Sequence, residues 1–177
     1  MLGSLLQANA AGAISGLVRE NYDNQVGVVR SAAVTPLCAL VREGGTSDVK
    51  EQSALALWAL SQDNAPNKAT IAKLGGIEPL VGLLVTGETA RSHDYSVRAL
   101  SSLSSRHQEN RDSVAKLLVM RLTSRVAMIN VVGGAVRVLK AVSILAADST
   151  ANQVAIAKAG GIPPLIVWLS GTLDGRR

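Results

Sequence analysis

The chain has 177 residues, 47% of them hydrophobic, enough to bury one sizeable core or one continuous stack. Aromatics make up only 2% and Phe is absent, so the core must be built from Leu, Val, Ile and Ala, which suits close-packed helices better than a β-sandwich. A formal net charge of +5 admits an acidic partner, while the scarcity of aromatics argues against base-stacking nucleic-acid modules, and Cys38 as the sole cysteine excludes an intrachain disulfide or a multi-cysteine zinc site.

In chain order, the first residues, MLGSLLQANAAGAISGL, lack the basic start and sustained apolar run of a signal peptide; they read as the end of one helix followed by another. The segment NQVGVVRSAAVTPL from Asn24 reads as a short helix, a turn, and a second helix entered at Pro36. The loop Glu43-Gly44-Gly45-Thr46 follows, then a longer helix through ALALWALS, with Asp48 and Glu51 as a candidate capping box at its start. The same order returns in NKATIAKLGGIEPL from Asn67, with Pro79 and the loop Thr86-Gly87-Glu88. It returns again in NQVAIAKAGGIPPL from Asn152, with Pro163-Pro164. A copy at Asn110, NRDSVAKLLVMRLT, keeps only its first half.

The asparagines are spaced by 43, 43 and 42 residues. Upstream of each, Ala13-Ile14 with Leu17, Ala56-Leu57 with Leu60, Ala99-Leu100 with Leu103, and Ala141-Val142 with Leu145 share the i, i+1, i+4 spacing of a buried helical stripe. Each unit therefore reads as three helices. Asn24, Asn67, Asn110 and Asn152 are expected to cap the first, and Gly75-Gly76 and Gly160-Gly161 to end it at positive φ. The prolines then occupy the first turn of the second helix, where a missing N–H costs little. The Asn110 copy has Leu118-Val119 in place of the glycines and Leu122 in place of proline, so an irregularity is expected over residues 117–126, with its first two helices running together or bending differently. Ala32-Ala33 is a milder departure.

These segments, with NKATIAKLGGIEPLVGLL and ALALWALS as the fullest matches, resemble the armadillo-repeat family over essentially the whole chain. The resemblance implies an all-α, right-handed α-solenoid of three-helix repeats. Its approximate units are 1–23 (partial), 24–66, 67–109, 110–151 (irregular) and 152–177 (partial). It also implies a non-catalytic, intracellular interaction module that holds an extended or helical segment of another protein along a concave groove of third helices. The ends read as uncapped, with Leu2, Leu5 and Leu6 at one and Ile166, Val167 and Leu169 at the other. A stretch of a longer array is the preferred explanation, and self-association through the ends the alternative.

With 56, 57 and 60 buried, the groove face falls at 55, 58 and 62, and translation by the repeat gives a ladder. Its rungs are Gly12, Ser15 and Arg19; Leu55, Trp58 and Gln62; Arg98, Ser101 and Ser105; and Lys140, Ser143 and Ala147. Arg19, Arg98 and Lys140 suit acidic side chains, the serines and Gln62 suit backbone groups, and Trp58 offers a flat apolar platform. Glu51 and Asp94, one turn earlier, add negative charge. The bland readings compete: solvated helix charges for the cations, and a core wedge for Trp58. Importin-α-like carriers repeat Trp-x-x-x-Asn on these helices; here only Trp58-x-x-x-Gln62 approaches it, which makes a cargo adaptor a further alternative.

An enzyme is not expected, nor a cofactor or a metal. Ser92-His93-Asp94 has the residue types of a hydrolase triad, but sequence neighbours cannot assemble triad geometry, and Ser47-Asp48-Val49-Lys50 reads as a helix start. Cys38, within the apolar run PLCALV, reads as a buried small hydrophobe. No run reaches the ~20 apolar residues of a membrane span.

Overall fold

The computed structural model describes residues 2–124, 132–147 and 149–170. Among these residues the chain is a succession of α-helices without strands. They are α1 (Leu2–Val18), α2 (Tyr22–Arg30), α3 (Val34–Glu43), α4 (Ser47–Ser61), α5 (Ala65–Lys73), α6 (Ile77–Thr86), α7 (Ala90–Ser104), α8 (Gln108–Thr123), α9 (Val132–Ala147), α10 (Thr150–Lys158) and α11 (Ile162–Ser170). The long third helices α1, α4 and α7 pack side by side, and α3 and α6 back them. A single hydrophobic cluster runs through the stack, from Ala11 to Ile156. Leu57, Leu60, Ile71, Leu100 and Leu103 are fully buried in it, each worth roughly 1.5–3 kcal/mol of transfer free energy.

The corner between first and second helices is made by two glycines with different duties. Gly75 stands at φ +79°, the left-handed conformation that ends α5. A Cβ on Gly76 would lie 2.7 Å from Ile71 Cγ2 and 2.9 Å from the Ile71 carbonyl oxygen, so the second glycine is required by close approach. The result is a bend of 77° between α5 and α6, and Gly160-Gly161 repeats it at 83° between α10 and α11. In the Asn24 unit Ala32 takes the same corner at φ +58°, at a cost a glycine avoids.

The irregularity anticipated in the Asn110 unit takes a definite form: α8 is one uninterrupted helix from Gln108 to Thr123, running through Leu118-Val119. Leu118, Val119 and Leu122 are buried there. Residues 125 and 126 of that forecast lie outside the described ones. Beyond this unit α9 meets α6 and α8 as well as α7, so it does not continue the side-by-side run of the first three third helices.

Several sequence expectations need correction. The repeated asparagines are not the caps. The cap residues stand three earlier, at Asn21, Asn64, His107 and Ser149, whose side chains accept from the backbone N–H of Asn24, Asn67, Asn110 and Asn152. Each asparagine instead donates its side-chain amide to a carbonyl seven residues back, in the preceding third helix: Leu17 at 2.8 Å, Leu60 at 3.0 Å, Leu103 at 3.0 Å and Leu145 at 2.7 Å. The asparagine is thus a latch across the helix corner. Nor do Asp48 and Glu51 form a capping box: Thr46 caps α4, accepting from the Val49 N–H at 3.3 Å. Glu51 is 1% exposed, and its carboxylate accepts from the hydroxyls of Thr89 and Ser92 and pairs with Arg91 at 3.5 Å, tying α4 to α7.

Residues 2–18 form one helix, not the end of a second helix plus a third. It buries Ala8, Ala11, Ser15 and Val18 against α4 and leaves the expected stripe open, with Leu17 63% exposed. In α4 and α7 the matching stripe is covered by α3 and α6; over α1 no described helix stands in that place. An apolar depression of about 450 Å³ lies there, between Ile14, Leu17 and Val28. At the other end Ile166 and Leu169 of α11 are exposed, Leu169 at 88%.

Candidate functional site

Trp58 and Arg98 sit on adjacent third helices, α4 and α7, one repeat apart less three residues, so the two side chains meet across the helix pair. The Arg98 guanidinium carbon lies 5.2 Å from the centre of the Trp58 ring, a cation–π contact, and its Nε donates to Asp94 at 2.8 Å. The indole is half-buried against the core and half-open, so it is both wedge and platform.

Around this pair opens a depression of about 350 Å³ whose walls include Trp58, Gln62, Arg98, Ser101 and Ser105. Five of the twelve ladder residues are therefore brought together in one place. Gln62 is the C-cap of α4 and its carbonyl accepts from the Gln25 amide at 3.3 Å; Ser105 is the C-cap of α7 and its carbonyl accepts from Lys68 Nζ at 3.1 Å. Both residues line the groove while also closing their helices. Burial lowers the Lys68 pKa below its usual value, Asp63 opposing this and Arg106 adding to it.

Of the other seven, Gly12 and Ala147 offer no polar side chain and the remaining five are dispersed. Ser15, placed on the groove face by sequence, is 3% exposed and packed against α4, because α1 is rotated relative to its counterparts. Arg19 is exposed in the turn after α1, and Leu55 is half-buried on α4. Lys140 and Ser143 are exposed on α9 but stand outside the depression, which is closed on that side by Ile144. Sequence reasoning missed Ile144 because the Asn110 unit is one residue shorter and its third helix meets the stack in a shifted register. It also missed Lys68 and Asp63, which lie on the first helix and the preceding turn rather than on a third helix. Glu51, assigned to the groove, is buried at the α4–α7 contact.

The triad-like run sends its side chains three ways: Ser92 to Glu51, His93 to the Arg137 carbonyl at 3.3 Å, and Asp94 to Arg98. Cys38 is buried, and that burial pushes its thiol pKa up to about 11 against the lowering pull of Arg42. Among the described residues no group of three or more His, Cys, Asp or Glu side chains is placed to share a metal ion, and no single helix is long and apolar enough to cross a membrane.

The sequence matches no family model and no curated protein. Solved structures do resemble the fold. An engineered protein shares 24% identity over 92% of this chain and 65% of its own, with a TM-score of 0.67. The designed armadillo repeat protein YIII(Dq)4CqI matches 96% of this chain and 69% of its own at 18% identity and a TM-score of 0.63. The designed armadillo repeat protein YIII(Dq.V1)4CPAF, solved in complex with the peptide (KR)4, matches 99% of this chain and 75% of its own at 17% identity and a TM-score of 0.63. The chain spans 65% of the length of the first of these and 40% of a second engineered protein.

Proposed function

We propose, from the premise that this chain is an armadillo-repeat solenoid, that it is a non-catalytic scaffold holding an extended segment of another protein across its third helices. The observation that carries the reading is the open depression between α4 and α7, where Trp58, Arg98, Ser101 and Ser105 converge. An aromatic platform beside a guanidinium and free-standing hydroxyls suits a peptide: the indole takes an apolar stem, the serines take backbone groups, and Arg98 retains donors beyond the one given to Asp94. A designed neighbour was solved with a basic peptide. The cations Lys68 and Arg98 at this depression favour acidic character in the segment held here. The single buried thiol accords with an intracellular setting.

Peptides selected from a random display library on the folded chain would provide the probe. Fluorescence anisotropy should then show at least a tenfold loss of affinity in the Trp58→Ala, Arg98→Glu double variant, about 1.4 kcal/mol or more. Unchanged affinity in a double variant that keeps its helical circular dichroism would overturn the groove.

A second reading is favoured by the two open apolar faces. The Leu17 face of α1 and the Leu169 face of α11 correspond to surfaces that pack against each other inside the array, so one copy's α11 can cover another copy's α1. Light scattering over a concentration range should then show mass rising with concentration, which Leu17→Glu abolishes. A constant monomer mass removes this reading.

A further inference from the structure

The fourth residue of each first helix spends its donors in a consistent way until the irregular unit. Gln25 Nε2 donates to the carbonyls of Ala59 at 3.0 Å and Gln62 at 3.3 Å, at the end of α4. Lys68 Nζ donates to the carbonyl of Ser105 at 3.1 Å, at the end of α7. Arg111 is next in this series, and the same translation aims it at the end of α9. Among the described residues Arg111 makes no such bond, and the nearby Ala146 carbonyl accepts from Gln153 at 2.9 Å. Arg111 gives Nη1 to Gln108 on its own helix at 2.9 Å, and its Nε is buried with no partner. A buried guanidinium N–H without an acceptor is costly, and with only Nη1 engaged by Gln108 the group keeps further donors for an acceptor at the basin.

The space in front of Arg111 is not filled by protein. A basin of about 430 Å³ lies between α7, α8, α9 and α10, with Arg106, Arg111, Ser101, Ser105, Ser149 and Asn152 in its walls. None of the described residues in those walls is acidic, and neither arginine has a carboxylate partner among the described residues. Arg106 inverts the sign of its position as well. It stands at φ +58° in the turn where the two preceding units carry Glu20 at +54° and Asp63 at +50°. Asp148, at that turn in the following unit, lies outside the described residues. Ser149 caps α10, so the positive end of that helix dipole adds to the same side. The nearest competitor is the depression holding Arg121, whose Nε is also without a partner, but Glu78 already supplies a carboxylate there, pairing with Arg42 at 3.7 Å.

We infer that this basin binds an oxyanion, presented by an anionic side chain of the segment held along the third helices. The inference rests on the groove reading for the identity of its carrier, since the basin and the Trp58 depression share Ser101, Ser105 and Ile144 and form one continuous track. A phosphorylated hydroxyl and an acidic side chain offer the same oxygen chemistry: two guanidinium groups donate through parallel N–H bonds, and the serine hydroxyls complete the shell.

The full chain, labelled with ¹⁵N, is titrated with sodium phosphate and separately with sodium acetate, each against sodium chloride at matched ionic strength, while the arginine Nε–H resonances are followed. Saturable shifts of Arg106 and Arg111 in the range of about 1–10 mM anion are expected, with exposed Arg30 unmoved. Stronger saturation by phosphate assigns a phosphorylated carrier, and stronger saturation by acetate a carboxylate. Arg111→Gln should weaken binding at least tenfold; if that variant fails to fold, Arg106→Asn, at an exposed turn that asparagine tolerates, should weaken it severalfold. Shifts that grow linearly with no saturation in either salt, or that survive intact in folded Arg106→Asn and Arg111→Gln, overturn the site. Because the probes are free anions, this result is independent of peptide binding: loss of the groove through Trp58→Ala, Arg98→Glu leaves it standing, and its failure leaves the groove standing.

Discussion

The Asn67 and Asn110 units begin alike and then part. Both place an asparagine latch on the preceding third helix, through the carbonyls of Leu60 and Leu103, and both bury one face of a polar first helix, with Ile71 in one and Val114 in the other. At Gly75-Gly76 the first unit turns through 77°, while at Leu118-Val119 the second carries straight on as α8. Two missing β-carbons make the corner cheap, one for conformation and one for space. Ala32-Ala33 makes it with both β-carbons present at a cost in strain, whereas at Leu118-Val119 the helix continues, because helical propagation costs less than a strained turn.

The harshest way to break this comparison is to write the second unit's residues into the first. Gly75→Leu with Gly76→Val puts a bulky residue at φ +79° and a β-carbon 2.7 Å from Ile71, and should cost ~4 kcal/mol or more. Urea denaturation measures it; a near-neutral result would mean that packing elsewhere bends the chain. The latch is tested next. Asn110→Ala removes buried bonds to Leu103 and Lys68 and should lose roughly 2 kcal/mol. Asn24→Ala removes one exposed bond to Leu17 and should lose about 0.5 kcal/mol, so equal losses by thermal melting would deny the latch its dependence on burial. The mildest change is a gain. Ala32→Gly relieves the positive φ at the first corner and should stabilise the chain by about 1 kcal/mol, whereas any loss of stability in the same melts would show that the alanine is not strained.

The helical array was legible because its signals are punctuation, and punctuation acts locally: glycine at a positive φ and proline in a first turn mean the same thing in a sequence and in a structure. That the Asn110 unit departs at Leu118-Val119 was legible for that reason too, though not whether its helices run together or bend differently. The role of Asn24, Asn67, Asn110 and Asn152 was not, since an asparagine near a helix start serves equally as acceptor or donor. The actual caps, Asn21, Asn64, His107 and Ser149, share a type only in the first two and so leave a weaker repeat. The groove was half legible. Trp58, Gln62, Arg98, Ser101 and Ser105 follow from translating one helix face along the array. Ser15 and Lys140 escape that translation, because α1 lacks a described helix over its Leu17 face and α9 is shifted by the straight helix before it. Glu51 reads as a surface carboxylate until the hydroxyls of Thr89 and Ser92, a repeat later, are brought to it.

A straight α8 also limits what can be read along the array. Sixteen residues at 1.5 Å each make a strut of about 24 Å, where the other units fold the same stretch into two short arms. α4 and α7 repeat one another's face, and past the strut the next third helix falls out of step, as Ile144 in place of Ser143 shows. A segment held as proposed, with a regular side-chain period, would keep step across α4 and α7 and no farther. Beyond that point it must present something other than its next repeat.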